Sequence, residues 1–275
     1  MKIFLRPCSW IVIIILVILT LFFLMRGDNK GLFFSANSVW HPLFKTIGLA
    51  SQKEPIQEVL KSLDPSFAAT LKSMYDRQPQ MGTDGSMHAL DGVTKIPPEL
   101  GMWIYELCRK VRPKQTLEIG FGNGFSTIFF LAAIKANRMG SHVAMDPFEI
   151  TDFHGIGLKK AQELGMHGSL GFIEKKDVFG LPELAQEGKQ FEVIFIDGDH
   201  RFEYVLLDFF LGDYVCAKEG YIIFDDFDMP SVKKAVSFIA ANRSDYKKQD
   251  TPLDRIAVFK KVGDDRRQWT HFVPF

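Results

Sequence analysis

Cysteine is scarce in this chain of 275 residues: there are three, Cys8, Cys108 and Cys216. No pair has the spacing of a metal knuckle or a disulfide framework, so neither a zinc module nor a disulfide-stapled secreted scaffold is indicated. An excess of charge of either sign is missing too. Lys plus Arg and Asp plus Glu number 33 each. Without a global basic field, nucleic acid is no first choice of partner. No internal repeat or low-complexity tract is present. Hydrophobic residues make up 47% and charged residues 24%, a globular rather than a disordered balance.

Charge is what one long segment lacks altogether. From Pro7 to Met25 the chain reads PCSWIVIIILVILTLFFLM. A helix needs about 20 apolar residues to cross a bilayer core, and this run supplies them. Trp10 lies near one end, where an amphipathic ring suits the interface. The run is longer than the ~7–15 apolar residues of a secretory signal, and Arg26, Asp28 and Lys30 follow instead of small cleavage-site residues. Residues 1–26 are therefore expected to form a single-pass N-terminal transmembrane anchor that places the protein in a membrane. Its orientation stays open: Lys2 and Arg6 flank one side, Arg26 and Lys30 the other. Residues 27–95 read as a stem and an N-terminal cap segment, with short helical patterns and the loop MGTDGSMHALDGVTK.

From Pro97 the pattern becomes regular. Pro97-Pro98-Glu99 opens a helix, since proline is tolerated in the first turn and acids suit the positive helix end. Leu100, Trp103, Ile104, Leu107 and Val111 recur at helical spacing, and Pro113 ends the run. Five apolar runs of strand length follow: 116–120, 142–146, 170–174, 191–197 and 221–226. Helical stretches near 126–137, 155–166, 181–187, 200–215 and 230–242 separate and follow them. Uninterrupted apolar strands joined by crossover helices predict a doubly wound, mostly parallel α/β sheet over residues 96–265. TPLDRIAVFKKV reads as a final strand reached by a turn at Leu253-Asp254, and 266–275 as a C-terminal tail. Ligands of such sheets bind beyond the carboxyl ends of the strands.

The first strand runs into Glu118-Ile119-Gly120-Phe121-Gly122-Asn123-Gly124-Phe125-Ser126. Glycine lets the backbone turn tightly and approach a ligand, and the helix beginning near Ser126 offers free N–H groups. The dinucleotide fingerprint G-x-G-x-x-G/A fails at Phe125, which argues against an NAD-dependent oxidoreductase. The acidic residue two places before G-x-G-x-G instead resembles the first motif of class I S-adenosylmethionine-dependent methyltransferases. That resemblance implies a Rossmann-like methyltransferase domain binding the cofactor through Glu118, Gly120, Gly122, Gly124 and Ser126. Asp146, ending the second strand, suits the vicinal ribose hydroxyls, and Phe148 the adenine ring. Asp177, after the third strand, falls where this fold contacts the adenine amino group; it equally suits a helix cap.

Two further strand ends are acidic: Asp197-Gly198-Asp199-His200 and Asp225-Asp226-Phe227-Asp228. Carboxylates crowded at one crevice are costly unless protonated or bound to a cation. Asp199 and Asp228 read as N-caps of the following helices. Asp197, Asp225 and Asp226 read as a hard-oxygen site for Mg²⁺ or another divalent cation. The D-G-D-H element, the helix after it and K-E-G-Y-I-I-F-D-D resemble metal-dependent small-molecule O-methyltransferases, over roughly residues 90–262. These include the catechol type and enzymes acting on macrolide sugars and cephamycin-type antibiotics. The resemblance implies metal at those three acids, with His200 and Asp197 as catalytic groups and His200 as base. His88 could reach the site but reads first as a surface loop residue. The expected activity is O-methylation of a hydroxyl on a small molecule or glycan, assisted by a divalent metal, with 80–96 and 226–231 as acceptor segments. The alternatives are an anchored non-catalytic cofactor-binding module and a metal-dependent oxygenase or hydrolase, which would need more histidine ligands. A cytosolic origin of the cofactor favours a cytosolic domain, against the slight charge bias at the anchor.

Overall fold

The computed structural model describes residues 56–275. The expected anchor (1–26) lies outside the described residues, as does the stem up to residue 55. Among the described residues no helix is long and apolar enough to cross a membrane.

Two helices come first, α1 (Ile56–Leu60) and α2 (Pro65–Tyr75). Asp64 caps α2, accepting from Ser66 N at 3.0 Å. A two-residue hairpin, β1 (Gln80–Met81) with β2 (Met87–His88), follows where the sequence read as loop. The core then alternates: α3 (Pro98–Val111), β3 (Gln115–Ile119), α4 (Phe125–Asn137), β4 (Ser141–Met145), α5 (Ile156–Glu163), β5 (Leu170–Ile173), α6 (Asp177–Gln186), β6 (Phe191–Ile196), α7 (Phe202–Val215), β7 (Cys216–Phe224), α8 (Pro230–Asn242), β8 (Tyr246–Gln249) and β9 (Ala257–Lys261).

The sheet order is β5-β4-β3-β6-β7-β9-β8. Strands β3 to β7 are parallel; β9 runs antiparallel to β7, and β8 antiparallel to β9. The doubly wound, mostly parallel sheet is therefore as expected. Side chains alternate across it, as the strand period requires. Val193, Phe195, Ile223 and Val258 pack with α1 to α4. Leu117, Ile119, Ile194, Ile196, Ile222 and Phe224 pack with α6, α7 and α8. Helix α4 is buried nearly all round, which is why its sequence has no polar face.

Several boundaries differ from the sequence reading. Helix α6 begins at Asp177, four residues early, with Pro182 inside it. Proline usually marks a first turn, and this one misplaces the start. Asp199 and Asp228 are not N-caps: Arg201 and Met229 hold those positions, without side-chain capping bonds. Strand β8 was not foreseen.

Candidate functional site

The chain leaves β3 for β4 and β5 on one side and returns to β6 on the other. That reversal opens a crevice at the carboxyl ends of β3 and β6. A cavity of about 620 Å³ fills it. At one end lie the glycine loop, Asp146 and Asp177; at the other lie Asp197, His200 and Asp226.

The loop after β3 is shaped by its neighbours. Gly120 has φ 90°, and a Cβ there would lie 2.1 Å from the Asp197 carbonyl oxygen. Only glycine lets β3 and β6 end this close together. Asp146 anchors the loop: its Oδ2 accepts from Phe121 N and Gly122 N, both at 3.0 Å, and its Oδ1 from Phe148 N at 2.8 Å. Gly120, Gly122, Ser126 and Asp146 line the cavity, as expected. So does Phe148, 48% exposed and free to stack on a ring.

Two expected cofactor residues are elsewhere. Gly124 does not line the cavity. It starts α4 with φ 80°, and a Cβ there would lie 2.7 Å from Gly157 Cα, so it serves the packing of α4 on α5. Glu118 is fully buried behind the sheet. It pairs across β3–β6 with Phe195, whose side chain packs on the α4 layer, and strand alternation sends Glu118 to that same face. There it accepts from Thr127 Oγ1 and faces His142 Nε2 at 3.0 Å. Asp177 lines the cavity as the first residue of α6, not as a cap. Behind it, Asp208 of α7 is buried, and neither of its carboxyl oxygens has a hydrogen-bond partner among the described residues; burial and the nearby acidic Asp177 push its carboxyl well above the usual range.

The acidic end is assembled differently from the sequence reading. His200 Nε2 lies 2.9 Å from Asp226 Oδ2 and 3.5 Å from Asp197 Oδ1. Asp197 and then Asp226 raise its pKa to about 10, so at neutral pH it is an imidazolium with no free lone pair for a proton. Burial, followed by the charges of Asp225 and Asp226, raises the Asp197 carboxyl above its ordinary range. Asp226 is held below it, chiefly by His200. Its φ of 48° is left-handed, a conformation aspartate tolerates better than most residues.

Asp225 does not join the others as an expected metal ligand. Arg255 donates Nε to Asp225 Oδ1 and Nη2 to Asp225 Oδ2, both at 2.7 Å, and Nη2 to Asp226 Oδ1 at 2.6 Å. The oxygen set expected for Mg²⁺ therefore does not fit, because a guanidinium takes both oxygens of Asp225 and one of Asp226. Asp197, His200 and Asp226 do converge, one donor atom each, within 4.8 Å. That set has one nitrogen and two oxygens, which suits imidazole-tolerant metals better than Mg²⁺. His88 stays outside the cavity, stacked on His154 at 3.8 Å and hydrogen-bonded to Asp84 at 3.0 Å. Within the expected acceptor segments, Val93 to Ile96 and Asp226 and Met229 line the cavity.

Arg255 was missed. Its signal was the β7–β9 register: Phe224 pairs with Ala257 antiparallel, so two residues further along Arg255 meets Asp226. Phe153 and Asn123 also line the cavity unforeseen.

Residues 117–227 match the family model of a methyltransferase domain. Uncharacterized protein R132 of Acanthamoeba polyphaga mimivirus is 30% identical over 145 residues, which cover 48% of this chain and 63% of that protein. The chain thus spans less than two thirds of that curated relative. Among solved structures, the Podospora anserina methyltransferase PaMTH1, bound to SAH, superposes with TM-score 0.58 at 14% identity, over 86% of this chain and all of that one. The Streptomyces achromogenes O-methyltransferase TomG, of tomaymycin synthesis, is in complex with SAM. It gives 0.55 at 16% identity, over 84% and 100%. A Bacillus cereus O-methyltransferase in complex with SAH gives 0.52 at 16%, over 82% and 99%. The described chain thus has the Rossmann-like fold of methyltransferases.

Proposed function

We propose that the chain transfers a methyl group from S-adenosylmethionine to a hydroxyl on a small molecule or sugar. One observation carries this reading: a single cavity joins a glycine loop anchored on Asp146 to a strand-end cluster of Asp197, His200 and Asp226. Its size, about 620 Å³, is that of a cofactor site. The family match over 117–227 and the fold's SAM- and SAH-bound relatives support it.

In this reading a ribose hydroxyl donates to Asp146 Oδ1, which keeps one lone pair beyond the three bonds the carboxylate accepts from the loop amides. The adenine packs on Phe148 and reaches toward Asp177. The acceptor hydroxyl enters beside Val93 to Lys95 and meets the acidic cluster. Because His200 is already an imidazolium, Asp197 takes the hydroxyl proton, and His200 stabilises the resulting charge. The acceptor oxygen then bonds the methyl carbon as the carbon–sulfur bond breaks, and the sulfonium becomes a neutral thioether. Alignment of the two reactants supplies much of the rate. No step passes through a metal. The apolar run Pro7–Met25 serves as a single-pass anchor, which suits a membrane-associated acceptor such as a glycan.

The test is a panel of catechols, hydroxylated aromatics and sugars incubated with methyl-labelled S-adenosylmethionine. Label transfer to a hydroxyl, lost in Asp197→Asn, is expected. Cofactor binding without transfer to any acceptor class would favour a non-catalytic binding module.

A further inference from the structure

Three carboxylates meet at the acceptor end of the cavity, and Asp225 is almost fully buried. Such a group needs cations close by. The fold supplies one from outside the strand ends of the parallel sheet. Arg255 holds both oxygens of Asp225 in parallel N–H···O bonds, the strongest form of this pairing. It reaches the nearer oxygen of Asp226 as well. The main chain reinforces the contact, since Phe227 N donates to the Arg255 carbonyl at 2.7 Å.

We propose that Arg255 fills the charge-balancing place at the acceptor end, so that the cluster holds no divalent cation and offers a guanidinium to the acceptor oxygen. What that oxygen does rests on the methyl-transfer reading; the ion balance stands on geometry alone. Three of the four oxygens of Asp225 and Asp226 already accept from Arg255, and the fourth lies 2.9 Å from His200 Nε2. A divalent cation seated on Asp197, His200 and Asp226 would lie beside a fixed positive charge, which repels it. Arginine also has donors to spare. Its guanidinium carries five N–H groups, and Nη1 makes no hydrogen bond among the described residues. In a planar guanidinium, Nη1 shares with Nη2 the edge that faces Asp226. Arg255 lines the cavity, so Nη1 is placed to donate to an acceptor oxygen as its proton leaves. Donors fixed where charge develops are an effective way to stabilise it.

The experiment titrates Mn²⁺ and Mg²⁺ into the full chain by calorimetry, for the wild type, Arg255→Ala, Arg255→Lys and Asp226→Asn. The wild type is expected to show no saturable binding at millimolar concentrations. Arg255→Ala should acquire a Mn²⁺ site at least about tenfold tighter, and a melting temperature that Mn²⁺ raises. Arg255→Lys, which keeps the charge, should stay without one. Saturable Mn²⁺ binding to the wild type that disappears in Asp226→Asn would overturn the proposal, and this pair decides the matter even if Arg255→Ala does not fold. Equal Mn²⁺ affinity in wild type and Arg255→Ala would also overturn it. S-Adenosylmethionine binding in the same samples separates the two ideas. A wild type that binds both cofactor and Mn²⁺ removes only this inference. A wild type that binds neither, with Arg255→Ala binding Mn²⁺, removes only the cofactor reading.

Discussion

Glu149 offers a test of the site's electrostatics that needs no acceptor. It is fully buried in the loop after β4. Its Oε1 has only a 3.5 Å bond from Leu158 N, and its Oε2 has no partner. Burial, helped by the nearby charge of Asp146, raises its pKa to about 9. The unfolded chain ionises near the ordinary value of about 4.3. The folded state therefore holds the proton more tightly, and stability is full below the unfolded value and lost as pH rises toward about 9. Each pH unit in that window costs up to about 1.4 kcal/mol, so pH 5 to pH 8 costs at most about 4 kcal/mol. Relaxation and water entry will reduce this, and about 2 kcal/mol is the expected loss. Glu149→Gln keeps the shape and cannot ionise. Urea unfolding of both proteins at pH 5 and pH 8 isolates the effect, since all other groups titrate in both. The wild type should lose about 2 kcal/mol more than the variant. Parallel pH dependence in the two proteins would refute the reasoning.

Other outcomes follow from the same geometry. Gly120→Ala places a methyl against the Asp197 carbonyl in a left-handed backbone; it should cost about 3 kcal/mol in urea unfolding and abolish cofactor binding. Asp146→Ala leaves three loop amides without their acceptor, so thermal unfolding should show a loss of about 2–4 kcal/mol. The His200 imidazole should stay protonated until about pH 10 in NMR titration, and fall toward its ordinary value of about 6.5 in the Asp197→Asn, Asp226→Asn double variant. The stability it supplies is present at neutral pH and lost as pH rises through about 10.

The parallel strands β3, β4, β6 and β7 were legible because they are largely buried and read as apolar runs; β5, at the sheet edge and only partly buried, was legible through its short apolar run alone. Strand β8, YKKQ, was not: it is an edge strand with two exposed lysines, the composition that protects an edge and hides it from pattern reading. The hairpin at Gln80 and Met87 is too short to show a period. At the site, Gly120, Asp146 and Asp197 followed from their places at strand ends. Glu118 went wrong because a motif fixes spacing, while strand alternation fixes the face. The like-charge argument for a metal went wrong at Asp225 because the balancing cation, Arg255, lies 30 residues away in sequence. Sequence proximity shows the acids together; only the antiparallel register shows what neutralises them.

The central claim is that the crevice between β3 and β6 binds S-adenosylmethionine through the Asp146-anchored loop. Calorimetric titration of S-adenosylmethionine into the wild type and Asp146→Ala tests it most directly. Micromolar binding in the wild type, lost in a variant whose circular dichroism stays native, is the predicted result. No heat of binding in well-folded wild type would contradict the account.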